Sequence, residues 1–170
     1  TNILAEKVGQ LTCVELSKKR SLINANRNKN FNNVEIIVGD FNKIKFEHKF
    51  DYITLIGVLE YAPSFTDVEQ PFHELLSYVK SLLNENGKLI IAIENRFGLK
   101  YWAGAREDHT GKYFESLEGY LNNNRVKTFS KNELTTILKE VGFSDVENYY
   151  PIPDYKFPFQ IFSDKRLPKV

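Results

Sequence analysis

Two acidic residues, Glu15 and Asp40, each follow a short β-type segment and are separated by chain enough for one helix. A carboxylate in the position of Glu15 can accept both hydroxyls of a ribose, as the acid beyond a nucleotide-binding strand does. Asp40 can accept an adenine amino group, and Phe41 beside it offers an aromatic face to the same base. The plainer alternative is that Asp40 caps a turn and Phe41 belongs to the core. Glu60, Asp108 and His109 are groups able to take a proton from a hydroxyl acceptor. His109 equally suits an exposed loop. Arg96 and Arg106 can fork paired hydrogen bonds to an anionic acceptor, with plain surface charge as the alternative. His48 and His73 read as structural or exposed.

The elements that must position these residues alternate between β and α character, the pattern of a parallel sheet covered by helices. The expected class is α/β. In such sheets ligands bind beyond the carboxyl ends of the strands, so the residues just after each strand carry the chemistry. Ile3, Leu4 and Val8 make a short helical stripe closed by Gly9. Residues 11–16 form a strand, and Ser17 caps a polar helix to about Asn30 that turns Leu22 and Ile23 inward. Residues 34–38 form the next strand. The nearly all-apolar run 50–56 is expected to be a central strand buried on both faces.

Val68, Phe72, Leu75, Leu76, Val79, Leu82 and Leu83 then recur at helical spacing. Pro71 suits the first helical position, which puts the start near Gln70, and Gly87 is placed to end the helix. Residues 88–93 form a buried strand leading into Glu94, Asn95 and Arg96. The stretch 97–125, rich in glycine, aromatic and charged residues, has the composition of a functional loop or lid. Ser130 and Glu133 form a capping box before a helix that Gly142 stops. Residues 146–150 and 159–162 read as a terminal antiparallel hairpin, with Pro158 confining the second strand to an edge or to a start after it.

At 170 residues and 42% hydrophobic content the chain is the size of one domain, and the expectation is a single domain over 1–170. With 23 basic and 22 acidic residues it has none of the charge excess that attracts phosphate backbones, so nucleic acid is not an expected partner. Lys18, Lys19 and Arg20 read as a solvated helix face. A single cysteine, Cys13, has no internal partner and sits in an apolar strand, which suits a reducing cytoplasmic setting. No apolar run reaches the roughly 18 residues that insertion into a bilayer needs. The absence of any methionine suggests that Thr1 is an internal residue of a longer polypeptide or of a processed one, and a longer multidomain polypeptide is the expectation.

The run Phe50-Asp51-Tyr52-Ile53-Thr54-Leu55-Ile56-Gly57-Val58-Leu59-Glu60-Tyr61, the segment NGKLIIAIEN and the segment TFSKNELTTILKEVGF together resemble class I S-adenosylmethionine-dependent methyltransferases. The resemblance covers nearly the whole chain. It implies a Rossmann-like, mostly parallel sheet with a C-terminal antiparallel hairpin and S-adenosylmethionine as cofactor. Glu15 would then bind the cofactor ribose, Asp40 and Phe41 the adenine, and Ile56, Gly57 and Val58 would line the methionine end. Residues 94–102 and 104–111 further resemble methyltransferase domains attached to bacterial glycosyltransferases and other surface-polysaccharide proteins. That implies O-methylation of a small polar or sugar acceptor in envelope glycan synthesis.

The glycine motif between the family's first strand and first helix has no counterpart here. That strand lies in the family between the strands at 11–16 and 50–56, so the sheet is expected to lack it. Methyl transfer from a sulfonium is an in-line displacement that mainly requires alignment and exclusion of water. Glu60, Asp108 and His109 are then the candidate bases, Arg96, Trp102 and Arg106 the candidate acceptor-binding residues, and Tyr61 and Trp102 rings able to face the sulfonium. No metal is expected, and a homodimer is one possible assembly. Two other readings remain open: a non-catalytic assembly or glycan-binding module, and a nicotinamide-dependent dehydrogenase, which would share Glu15 and the fold class.

Overall fold

The computed structural model describes residues 1–121 and 125–168, which form two compact units, Thr1–Glu47 and a second beginning at His48. Residues 122–124 of the expected loop 97–125, and the last two residues of the expected domain, lie outside the described residues.

The first unit contains helix α1 (Asn2–Ala5), strand β1 (Leu11–Glu15), helix α2 (Lys18–Asn28) and strand β2 (Val34–Val38). β1 and β2 pair in parallel with Leu11 opposite Val34 and Glu15 opposite Val38, so both strands end at the same edge. α2 starts where expected: the Ser17 hydroxyl accepts the Arg20 N–H. Leu22 and Ile23, however, are exposed, and Ser21 and Asn28 are the buried residues of this helix. At about 100° per residue Leu22 and Ile23 point well away from the face that Ser21 and Asn28 define. The tucked side chains donate locally, Ser21 Oγ to Ser17 O and Asn28 Nδ2 to Asn24 O. α1 is a single turn with Ile3 and Leu4 exposed, so the expected stripe to Val8 does not form one helix.

The second unit is built on strand β3 (Phe50–Ile56) and strand β4 (Leu83–Ala92), again parallel, with Ile56 opposite Ala92. β3 is not buried on both faces. Leu55 is in the core, but Tyr52 and Ile56 on the opposite face are exposed. Nor is it central: β1–β2 and β3–β4 are separate two-stranded ladders, so β3 has one hydrogen-bonded neighbour among the described residues. Helix α3 (Pro71–Leu82) begins at the Gln70 cap with Pro71 in its first turn and buries Leu75, Leu76, Val79 and Leu82. It stops at Leu82, earlier than Gly87 implied. Gly87 instead lies inside β4 at the register shift opposite Phe50, where an added Cβ would stand 2.9 Å from Phe50 O.

After β4 come the short helices α4 (Leu99–Trp102) and α5 (Glu115–Glu118), then helix α6 (Lys131–Glu140). The Ser130–Glu133 capping box is present in both directions, and Gly142 follows the helix with φ +94°. α6 lies against α3, joined by His73 Nε2–Glu140 Oε2 at 2.8 Å and by Lys80 Nζ donating to Gly142 O at 2.6 Å. Strands β5 (Tyr149–Ile152) and β6 (Gln160–Ser163) close the chain as the expected antiparallel hairpin. β5 begins three residues later than expected, and β6 starts after Pro158, whose missing N–H is thereby kept out of the ladder.

Candidate functional site

In the first unit the parallel register carries Glu15 and the turn after β2 to one edge. The Glu15 carboxylate takes the Ser17 N–H at 2.8 Å and pairs with Arg20 Nε at 3.3 Å through Oε1. Asp40 caps the 3₁₀ turn Phe41–Lys43, Oδ1 accepting the Asn42 N–H, and its Oδ2 lies 3.4 Å from Lys43. Phe41 packs 6.1 Å from Phe46 between ring centroids. Asp40 is thus the turn cap that the plainer alternative described, and it stands beyond the strand end as the ligand-binding reading requires.

The second unit gathers the chemistry at the carboxyl ends of β3 and β4. Gly57 leaves β3 with φ +62°, its N–H donating to Ala92 O, and a Cβ there would meet Tyr155 Oη at 3.1 Å and Glu60 Oε1 at 3.6 Å. The 3₁₀ turn Leu59–Ser64 follows and tucks Glu60 inward to 1% exposure. Glu94 follows β4 and is 7% exposed. His109 comes from the long connection. Its Nε2 lies 3.5 Å from Glu60 Oε1 and 3.8 Å from Glu94 Oε2, with the imidazole side chain 6% exposed.

The connection 97–121 folds back on itself around Glu107. Arg106 bridges Tyr113, and Glu107 N–H donates to Lys112 O, folding the segment on itself so that Glu107 becomes 1% exposed. The Glu107 carboxylate then receives His109 Nδ1 at 2.7 Å, the His109 and Thr110 backbone N–H groups at 2.7 and 2.6 Å, and Tyr120 Oη at 3.1 Å. Tyr120 is held with φ +61°, its hydroxyl 2.6 Å from Thr128 Oγ1. The chain after 125 runs beside the end of β4, with Asn95 bridged to Phe129 and Lys127 N–H donating to Glu60 O.

From the other side, the loop between β5 and β6 supplies Lys156, whose Nζ donates to Glu94 Oε1 at 2.8 Å, and Tyr155, whose hydroxyl lies 3.4 Å from the same oxygen. Tyr61, 37% exposed, sets its ring edge against His109 at 5.3 Å. Glu60 Oε2 and Glu94 Oε2 are buried without a hydrogen-bond partner in the protein.

These contacts set the charge state. Burial works to raise the Glu107 carboxyl, but the hydrogen bonds from the His109 ring and from the Thr110 and His109 N–H groups prevail and hold it at about 2. His109 is pushed up to about 10, first by Glu107 and then by Glu60, against burial. The Tyr155 hydroxyl rises to about 12 through burial and the nearby Glu94 charge, and Glu94 raises Lys156 through their hydrogen bond. At neutral pH His109 is therefore an imidazolium, Lys156 an ammonium and Glu107 a carboxylate.

The structure therefore brings His109, Glu60 and Gly57 together and separates them from Asp108, whose carboxylate pairs with Lys100. Ile56 and Val58 flank Gly57 with exposed side chains. Arg96 is committed internally, Nε to Ser116 O at 3.1 Å, Nη1 to Glu133 Oε1 at 2.8 Å and Nη2 to Leu117 O at 3.2 Å. Arg106 donates to Gly111 O and covers the Tyr113 ring, and Trp102 is 64% exposed on α4. Glu94 stood out in the sequence only as the start of a polar triplet. Glu107, Tyr120, Tyr155 and Lys156 had no signal in local spacing, because the chain reversals that deliver them depend on tertiary contacts.

A family model described as a methyltransferase domain matches residues 1–148, which includes every element through α6 and leaves Tyr155 and Lys156 outside the match. No curated protein matches the sequence. Among solved structures, a SAM-dependent methyltransferase from Methanosarcina mazei superposes with TM-score 0.62 at 14% identity, over 91% of this chain and 79% of that one. The N-methyltransferase NodS from Bradyrhizobium japonicum gives 0.55 at 14% identity, over 82% and 64%. The methyltransferase in the complex with the Haloferax volcanii Trm112 activator gives 0.61 at 15% identity, over 94% and 61%. At such identities these likenesses establish the fold. The chain spans less than two thirds of the last two proteins.

Proposed function

Because the chain belongs to the methyltransferase domain family, we propose that it is an S-adenosylmethionine-dependent methyltransferase whose acceptor meets the buried Glu60, Glu94 and His109 cluster. The residues present fit the cofactor. Glu15 and Asp40 stand beyond neighbouring parallel strands, the donor set for a ribose diol and an adenine amino group, with Phe41 beside Asp40 for the base. Within the second unit, Gly57, flanked by Ile56 and Val58, has a backbone that a Cβ would crowd against Tyr155 Oη, and the resemblance assigns these three residues to the methionine end. When bound, S-adenosylmethionine supplies an electrophilic methyl group on a sulfonium sulfur.

The chain's own residues align the acceptor and receive its proton. The partnerless Glu60 and Glu94 oxygens are acceptors awaiting a hydrogen-bond donor, and they call for an acceptor molecule that presents hydroxyl groups. Glu60 is the proton acceptor: His109 is held protonated by Glu107, and Asp108 is engaged with Lys100. Burial of all three groups keeps water from the transferred methyl. The substrate class this suits is a small polyol such as a sugar hydroxyl, and the resemblance of residues 94–102 and 104–111 to polysaccharide-associated domains supports reading the reaction as a cytoplasmic step of bacterial envelope glycan synthesis.

The observation carrying this reading is the pair of unpartnered buried carboxylate oxygens at the ends of β3 and β4. Transfer of a tritium-labelled methyl group from S-adenosylmethionine to a panel of monosaccharides and sugar nucleotides tests it. Labelled product is expected, with Glu60→Gln lowering kcat by about 10²-fold or more. Equal turnover by Glu60→Gln would refute the assignment.

A further inference from the structure

We infer that Glu60, Glu94 and His109 form a binding site for one divalent transition-metal ion, which would take the acceptor oxygen into its coordination sphere. This deepens the acceptor-site reading above and rests on it for the ion's role, though not for its binding. His109 Nε2 lies 3.5 Å from Glu60 Oε1 and 3.8 Å from Glu94 Oε2, separations that one ion at ordinary bond lengths of about 2.0–2.2 Å can bridge, and one ligand atom from each of the three residues lies within 4.8 Å of the others. The donor set, two carboxylates and an imidazole, is one used for borderline divalent ions.

Three features mark this as more than an acidic cluster. Glu60 and Glu94 side chains are 2% and 6% exposed, and each carries a buried oxygen with no partner in the protein. His109 is oriented as metal-binding histidines are: Nδ1 donates to the Glu107 carboxylate, so a proton displaced by an ion leaves from Nε2, the nitrogen that faces Glu60 and Glu94. Glu107 is itself held by two backbone N–H groups and Tyr120, so the supporting layer is complete without the ion. Lys156 occupies Glu94 Oε1 and leaves Oε2 for the ion, balancing part of the negative charge. The ion would replace the Nε2 proton, and Tyr61, the partly exposed residue against His109, marks the side of entry.

The test is titration of cobalt(II) into EDTA-treated protein, followed by its visible d–d absorption, for wild type and for Glu60→Gln, Glu94→Gln and His109→Gln. One ion per chain is expected, with each substitution weakening binding by at least tenfold. Because a substituted protein could fail to fold, manganese(II) broadening of the imidazole NMR signals is measured on the wild type as well. Of the three histidines, His109 should broaden first, with His48 and His73 staying sharp. No cobalt binding, equal binding by the variants, or indiscriminate broadening would overturn the inference. S-adenosylhomocysteine titrated into the same samples separates the two readings: cofactor binding without cobalt binding removes the ion alone, and cobalt binding without cofactor binding removes the methyltransferase reading alone.

Discussion

Glu107 and His109, two residues apart, form a closed pair in which Glu107 Oε1 meets His109 Nδ1 at 2.7 Å while Glu107 Oε2 takes the backbone N–H of His109 itself. The same carboxylate thus fixes both the imidazole and the backbone that carries it. The ring has one orientation left, with Nε2 toward Glu60 and Glu94.

Glu107→Ala should destabilise the protein by about 3–5 kcal/mol, because it removes the carboxylate partner of a buried imidazolium and unpairs two backbone donors. Urea unfolding monitored by circular dichroism checks this. A loss under about 1 kcal/mol would show that the buried pair does not form.

The pH profile of metal-free protein follows from the same pair. Glu107 is lowered from 4.5 to about 2, so its contribution is complete above pH 4.5 and is lost as pH falls toward 2. His109 is raised from 6.5 to about 10, so its contribution is complete below pH 6.5 and is lost as pH rises through 10. The urea midpoint should therefore be highest between pH 4.5 and 6.5. His109→Gln should flatten the alkaline limb; an unchanged limb would contradict the assignment.

Arg96→Lys tests whether Arg96 is scaffold or acceptor contact. Its guanidinium ties Glu133 at the start of α6 to two carbonyls around α5, a fork that lysine cannot reproduce. The expected result is a stability loss of about 1–3 kcal/mol with KM for the acceptor unchanged. A raised KM at unchanged stability would restore the acceptor-binding role that its sequence position suggested.

Much of the fold was legible because capping and turn chemistry is local. Ser130 with Glu133, Pro71 after Gln70, and Pro158 before the last strand each act within a few residues, and each marks an element boundary in the structure. Burial was less legible. The apolar content of β3 implied two covered faces, but exposure depends on what packs against each face, and Tyr52 and Ile56 stand on an uncovered one. Leu22 and Ile23 were expected inside because they are the largest apolar residues of α2, whereas the helix turns a serine and an asparagine inward. Of the site, Glu60 and His109 were identifiable from residue type and position. Glu107 and Lys156 were not, since only the Arg106–Tyr113 reversal and the β5–β6 hairpin bring them in.

Gly57→Ala should cost about 1–3 kcal/mol, because φ of +62° is strained for alanine and the new methyl group would crowd Tyr155 Oη. The substitution should also lower affinity for S-adenosylhomocysteine, measured by calorimetry. Unaltered stability and affinity would show that the backbone turn after β3 adapts freely.

The most direct test of the central claim is calorimetric titration of S-adenosylhomocysteine into the protein, with Asp40→Ala and Glu94→Gln run alongside. A single saturable site is expected, weakened about tenfold or more by Asp40→Ala, the residue proposed to hold the adenine amino group, and retained by Glu94→Gln, which the proposal assigns to the acceptor. No binding, or binding indifferent to Asp40→Ala, would contradict the account.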